Sequence, residues 1–529
     1  MVFTSPYPDV DIPDVSVFDF LFTDLSANEL DAPAIVDGAS GAETTYRQLI
    51  GQINGVAGAL SARGIGVGDT VALHCPNVPA FAAVFHGILR SGATATTVNA
   101  LYTGEEIATQ LTDSKARLLI TVSPLLDHAK EGAASVGLGD ENIVVLDGVE
   151  GYASLRDLLA QGYPAPDVTF DPAEHVAVLP YSSGTTGRPK GVILTHRNLV
   201  ANVAQSRLFL GAEAHDRVLA VLPFFHIYGM TILLNLAFKT RASLVTMPRF
   251  DLAEFLRIIQ DFRITWAFIA PPIAVALAKH PLVEQYDLSS LEVIVSGAAP
   301  FDGTLAAAVT ARLGCIVGQG YGMSEMSPVS HAIPTSRTDI PRSSVGLTLP
   351  NMECKLIAAD GSEIEVPTEG TSEPGELLCR GPNVMKGYLG NDEATRETIE
   401  PDGFLHTGDI ATVSAEGYVT IVDRLKELIK YKGYQVAPAE LEALLLSHPS
   451  VADVAVVGAH DAEGEEVPKA FIVVQAGQIL TADEVIAFVT EHVAPYKKVR
   501  QVEFIDVIPK SSSGKILRKD LRNREAAPA

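Results

Sequence analysis

From about Thr45 to Val122, short apolar runs alternate with amphipathic segments of helical length. The alternation predicts strands over 70–75, 93–98 and 116–122, with helices over 80–89 and 104–111 between them. It returns further on, with strands over 175–180, 217–222, 243–247, 264–269 and 291–295. Strands that alternate with helices form parallel sheets with helices packed on their faces. After about Thr348 the texture changes to short strand-like pieces at 352–357, 375–379 and 418–422, separated by Gly, Asp and Pro, which predicts a β-rich region. Beyond Asp423 a compact α+β unit follows, with helices over 438–447 and 481–493 and strands over 451–458, 470–474 and 502–507. The fold class is therefore α/β. A large N-terminal domain over 1–423 holds several subdomains, parallel α/β sheets and a β-rich one, and a small α+β domain covers 424–529. No short-period repeat of solenoid type is present.

The 529 residues exceed what one compact core can organise, in line with this division. With 47% hydrophobic and 19% charged residues the chain reads as globular and soluble. A formal charge of −25 repels nucleic acid and anionic lipid, so neither is expected as a partner. Any anionic ligand must then be met by cations gathered locally. The four cysteines, Cys75, Cys315, Cys354 and Cys379, form no C-x-x-C pair and read as small buried residues of a reducing compartment. The first residues carry Asp9, Asp11 and Asp14 and no basic stretch. No apolar run is long enough to cross a bilayer, and the last residues hold no peroxisomal tripeptide. A cytoplasmic protein is expected.

Four stretches carry chemistry. The first, YSSGTTGRPKG over 181–191, lies between two predicted strands. Ser182, Ser183, Thr185 and Thr186 supply hydroxyls, Gly184 and Gly187 let backbone N–H groups close on an anion, and Lys190 adds charge. It is a phosphate-cradling loop but not a Walker A loop, because Pro189 takes the place of the second glycine. An isolated run of small polar residues is usually only a flexible turn; eleven residues in this order argue against that. The second, GQGYGMSE over 318–325, sets glycines around an aromatic, which suits a flat base lying on a backbone turn. Glu325 ends it with a carboxylate for a phosphate-borne Mg²⁺. The plain alternative is a tight turn before a helix. Met323 excludes a dinucleotide fingerprint, and Met326 excludes a nucleophile elbow. The third is LHTGD, ending at Asp409, with Asp423 and Arg424 further on. A carboxylate closing a β segment can accept both hydroxyls of a ribose, although a lone T-G-D is commonly a solvated turn. The fourth is a concentration of cations. Arg424, Lys426, Lys430 and Lys432 form one cluster, and Lys497, Lys498, Arg500, Lys510, Lys515, Arg518 and Lys519 another. Such runs are most often solvated faces, but in so acidic a chain they read as phosphate sites.

With these stretches in this order, the chain resembles the adenylate-forming superfamily of acyl-CoA synthetases, luciferases and peptide-synthetase adenylation domains. It is most similar within it to 4-coumarate–CoA ligases. The likeness covers nearly the whole chain. It is also carried by PFFHIYG from Pro223, SGAAP from Ser296, GELLCRG from Gly375, MKGYL from Met385 and DRLKELIKYKGYQVAPAELE from Asp423. The resemblance implies an ATP-dependent acid–CoA ligase with ATP, Mg²⁺ and coenzyme A, and a mobile C-terminal lid hinged near Lys426. It implies that Ser182, Ser183, Gly184, Thr185, Thr186 and Lys190 hold ATP phosphates. Gly297, Ala298 and Ala299 would surround the adenine with Gln319, Gly320, Tyr321, Gly322, Met323 and Ser324, while Asp409 and Arg424 hold the ribose and Glu325 serves Mg²⁺. Lys515 would be catalytic in adenylation, Lys430 would arrive with the rotated lid, and Arg249, Lys432 and Gly433 would meet coenzyme A. His226 would orient the carboxylate; a lone apolar-flanked histidine is otherwise usually structural. Ile227, Tyr228, Gly229, Ala298, Gly320, Pro328 and Val329 would form an acid pocket with His226, for a planar aromatic acid such as 4-coumarate. Each apolar position among them could equally be plain core. Two departures stand out. Ser324 replaces the commoner threonine but keeps the hydroxyl, and Arg249 stands where plant enzymes often carry lysine. The rival readings are a medium-chain fatty acyl-CoA synthetase, a luciferase-like oxygenase, a carrier-loading adenylation domain and a non-catalytic nucleotide-binding module.

Overall fold

The computed structural model describes residues 1–182, 189–299, 301, 303–431, 434–461, 466–511 and 514–526. Two large sheets carry the alternating pattern. In one, the strands Val176–Val178, Thr94–Val98, Thr70–His74, Ala116–Thr121 and Ile143–Val145 lie side by side and parallel, and Lys190–Thr195 joins antiparallel at the edge. In the other, Ile316–Gly322, Val293–Ser296, Trp266–Ile269, Arg217–Ala220, Ser243–Thr246 and Pro33–Asp37 run parallel. The crossover helices follow from local rules. Tyr46–Ala62 starts at Thr45, whose hydroxyl accepts the Gln48 N–H while Gln48 reaches back, and it buries Leu49, Ile53, Val56 and Leu60 on one face. A third, antiparallel sheet contains Glu353–Ile357, Gly375–Arg380, Leu405–Val413 and Val419–Arg424, the β-rich region expected after Thr348.

Beyond this sheet come the hairpin strands Ile429–Tyr431 and Tyr434–Val436 and a sheet of Val451–His460, Glu466–Val474 and Gln501–Phe504. The helices Pro438–Ser447, Ala482–His492 and Arg518–Ala526 accompany it. Apolar cores separate at the same place. The large core extends as far as Val419, whereas Ile429, Val436, Leu441 and Leu445 begin another. The smaller domain also holds a buried ion pair, in which the Glu442 carboxylate accepts two bonds from Arg518 at 2.6 and 2.7 Å and the Val456 N–H at 2.8 Å. Burial, with a smaller push from Asp423, moves the Glu442 carboxyl upward, and the Arg518 guanidinium opposes it. Removing one partner of such a pair leaves the other charged and desolvated. Glu442→Ala is therefore expected to destabilise this domain by about 3 kcal/mol, read as an earlier guanidinium transition, with Glu442→Gln losing less.

Two local expectations are corrected. The stretch at 318–325 is not the backbone turn that its glycines suggest. Most of it continues the strand Ile316–Gly322, with Gly320 facing Ala332 and Tyr321 facing His331 across an antiparallel pair, before a single turn Ser324–Met326. Its glycines admit close neighbours instead of bending the chain: a Cβ at Gly322 would lie 2.1 Å from the Pro328 carbonyl oxygen. Asp409 does not end a β segment either; it sits inside the strand Leu405–Val413, opposite Arg424.

Candidate active site

The strands Thr94–Val98, Val293–Ser296 and Ile316–Gly322 deliver their carboxyl ends to one cleft of about 860 Å³, where ligands of parallel α/β sheets characteristically sit. Ser182, Lys190 and Glu325 line it, as do Gly297, Ala298 and the run Gly320, Tyr321, Gly322, Met323 and Ser324. So do the acid-pocket candidates His226, Ile227, Tyr228, Pro328 and Val329. From the chain after Asp423 come Arg424, Lys426 and Lys515. Stretches hundreds of positions apart thus meet in one space.

Glu325 is 5% exposed, so its carboxylate needs partners. The Ser182 hydroxyl donates to it at 3.1 Å and the Tyr388 hydroxyl at 2.8 Å. The Lys190 ammonium lies 4.7 Å above the Tyr388 ring. Tyr388, whose hydroxyl is pushed upward by burial and by Glu325, therefore ties the cation to the carboxylate. The sequence reading gave it no role, although it stands in the quoted MKGYL segment. Among the described residues no group of three potential ligands could hold a metal alone. One buried carboxylate beside a phosphate loop fits Mg²⁺, which keeps waters and is shared with substrate phosphates.

Asp409 stands behind Tyr321. Its carboxylate accepts the Tyr321 hydroxyl at 2.5 Å and pairs with Arg424 Nε at 3.2 Å, and its N–H donates to the Thr407 hydroxyl at 3.1 Å. Burial first, and then Asp409, hold the Tyr321 hydroxyl far above its ordinary range.

In another part of the cleft, burial lowers the His226 imidazole to about 4, and the nearby Lys515 ammonium adds to the shift, so the ring is neutral at pH 7. Its Nδ1 accepts the Tyr228 N–H at 3.3 Å, which leaves the ring proton on Nε2. Tyr228 donates to the Val295 carbonyl at 3.4 Å and lays its ring on Gly297, where a Cβ would come within 2.9 Å of the ring. A side chain there would have to displace the Tyr228 ring. Ala298, the next residue, holds a left-handed backbone at φ +71°, a conformation that surrounding structure has to impose.

Lys515 enters on a tight turn in which Ser511 N–H donates to the Lys515 carbonyl at 2.8 Å and Lys515 N–H to the Ser511 hydroxyl at 3.1 Å. Lys510 anchors this turn on Asp453 at 2.6 Å. Gly514 is required twice over. Its φ is +83°, and a Cβ there would lie 2.9 Å from that of Ala270 in the large domain. Burial, with the neighbouring Arg424, lowers the Lys515 ammonium to about 8.

Other candidates stand elsewhere. Gln319 spends its amide on the carbonyls of Arg342, at 2.5 Å, and Phe301, at 3.3 Å, one layer behind the cleft wall. Ala299 and Gly229 are outside the lining, Gly229 packed against the Pro223 carbonyl. Lys430 and Arg249 are exposed and away from the cleft, the Lys430 N–H held by Glu466 at 2.9 Å. Ser183, Gly184, Thr185, Thr186, Lys432 and Gly433 lie outside the described residues.

The chain is similar along its whole length to known proteins. A 4-coumarate–CoA ligase of Solanum tuberosum is 41% identical over 540 residues, covering 100% of this chain and 97% of the relative. One of Oryza sativa subsp. japonica is 42% identical over 536 residues, covering 99% and 98%. The solved structure of the anthranilate CoA ligase AuaEII with anthranoyl-AMP superposes with a TM-score of 0.88 at 29% identity, covering 97% of each chain. The family profile described as AMP-binding enzyme matches residues 22–389, and that of the AMP-binding enzyme C-terminal domain matches 440–515. Together the two span both sides of the cleft, and the chain belongs to the family of AMP-binding enzymes.

Proposed function

We propose that this protein is an AMP-forming acid–CoA ligase for planar aromatic acids of the 4-coumarate class. The observation that carries the reading is the entry of Lys515, from the small domain, into the cleft that also holds Lys190, Glu325 and His226. The full-length similarity to 4-coumarate–CoA ligases supports the acid class, as does a largely apolar lining that includes Tyr228, Gly297, Ala298, Pro328 and Val329. We assign the domain boundary near Asp423–Lys426 and the compartment to the cytoplasm. Among the described residues no helix is long and apolar enough to cross a membrane.

A carboxylate resists nucleophiles until an oxygen is made a leaving group. In the first step the acid's oxygen attacks the α-phosphorus of ATP, and the bond to pyrophosphate breaks. Negative charge grows on phosphoryl oxygens, so prearranged cations lower the barrier. Lys515 meets the α-phosphate, while Ser182, Ser183, Gly184, Thr185, Thr186 and Lys190 hold the rest of the triphosphate. Glu325 would hold Mg²⁺, which when bound would supply positive charge to the phosphates. His226 donates from Nε2 to the acid and fixes its attacking geometry. Asp409 and Arg424 take the ribose hydroxyls. In the second step the sulfur of coenzyme A attacks the acyl carbon, and AMP leaves with the bridging oxygen. Rotation of the small domain about Lys426 withdraws Lys515 and brings up Lys430, Lys432 and Gly433, with Arg249 placed to meet coenzyme A.

The test is pyrophosphate release across a panel of acids, with and without coenzyme A. Release driven by 4-coumarate or cinnamate is expected; preference for octanoate would replace the aromatic reading with a fatty acid one.

A further inference from the structure

The helix Pro438–Ser447 of the small domain has no side-chain cap of its own at its start, while at its end the His448 N–H caps the Leu445 carbonyl. Its N-cap residue, Ala437, offers no side-chain bond to the first turn, and a helix leaves N–H groups unpaired at its start and carbonyls at its end. Both ends find partners on the other domain. Asp423, on the strand Val419–Arg424 of the antiparallel sheet, accepts the Ala439 N–H at 2.9 Å. Lys279, the last residue of the helix Pro271–Lys279, donates to the Leu446 carbonyl at 2.9 Å and the Val451 carbonyl at 3.3 Å. A carboxylate thus meets the positive end of the helix and an ammonium the negative end, the favourable sense for the helix dipole. The same helix Pro271–Lys279 begins beside Ala270, the residue against which Gly514 packs immediately before Lys515.

We propose that Lys279 and Asp423 clamp the helix Pro438–Ser447 at its two ends and so hold the small domain in the position that places Lys515 in the cleft. This rests on the two-position reading of the lid given above. The grip is tied to one position because each bond joins the two domains, and rotation about Lys426 breaks the Lys279 contacts. Burial lowers the Lys279 ammonium, consistent with a cation desolvated by the docked domain. Lys279 is a positioning residue: it lines no part of the cleft and acts through Lys515.

The experiment measures the two half-reactions separately in full-length enzyme carrying Lys279→Met or Lys279→Arg. A charged hydrogen bond lost from one of two lid positions shifts their ratio about tenfold. Acid-dependent pyrophosphate exchange is expected to slow by about tenfold in Lys279→Met, while thioester formation from supplied acyl-AMP keeps its rate or gains. Lys279→Arg, which retains the cation, is expected to restore exchange. Unchanged exchange in Lys279→Met, or an equal fall in both half-reactions, overturns the clamp. Wild-type enzyme with no exchange at all overturns the ligase reading instead.

Discussion

Replacing Lys515 with alanine is expected to lower acid-dependent pyrophosphate exchange by about 10²- to 10³-fold while sparing thioester formation from supplied acyl-AMP. The asymmetry follows from where charge develops. On the proposed mechanism adenylation builds negative charge on phosphoryl oxygens, and Lys515 lines the cleft where that charge would develop. On the same proposal, thiol attack builds charge on the acyl carbonyl only after the small domain turns. A pH dependence accompanies this. Lysine is cationic below its pKa, and burial brings Lys515 to about 8. Hence kcat/KM for exchange should fall as pH rises through about 8, where the ammonium becomes a neutral amine that cannot stabilise phosphoryl charge. Half-reaction assays across pH 6–10 check both parts. Equal loss of the two half-reactions in Lys515→Ala would refute the division of labour.

Glu325→Gln is expected to give the second largest effect, a rise of about 10- to 100-fold in the Mg²⁺ concentration needed for half-maximal exchange. The substitution keeps the shape and an acceptor for the hydroxyls of Ser182 and Tyr388, so the cleft should remain assembled. What it removes is the negative charge that a hard divalent cation prefers. Initial rates against Mg²⁺ at fixed ATP, with a thermal melt as control, separate this from misfolding. An unaltered Mg²⁺ dependence would take the metal contact away from Glu325.

Legibility in the sequence followed the locality of the physics. Helices such as Pro438–Ser447 and strands such as Val293–Ser296 were readable because apolar periodicity is a property of consecutive residues. Ser182, Lys190, Glu325 and Lys515 were readable as candidates because each lies in a short run whose composition is unusual in an acidic chain. The strand Ile316–Gly322 was misread as a turn because its glycines are also the residues of turns; here they serve close approach of the neighbouring chain. Tyr388 was missed because its partners, Glu325 and Lys190, are remote in sequence and its motif looks like loop. Lys279 was not visible at all. It meets carbonyl oxygens at Leu446 and Val451, and a backbone acceptor leaves no mark in side-chain identity.

The most direct test of the mixed-anhydride route uses a carboxylic acid labelled with ¹⁸O in both oxygens. If the acid attacks the α-phosphorus and the thiol then displaces AMP, one labelled oxygen must appear in AMP and none in pyrophosphate. Mass spectrometry of the products in a single turnover decides it. Label in AMP is the predicted result; unlabelled AMP, or label in inorganic phosphate released with ADP, would contradict the account.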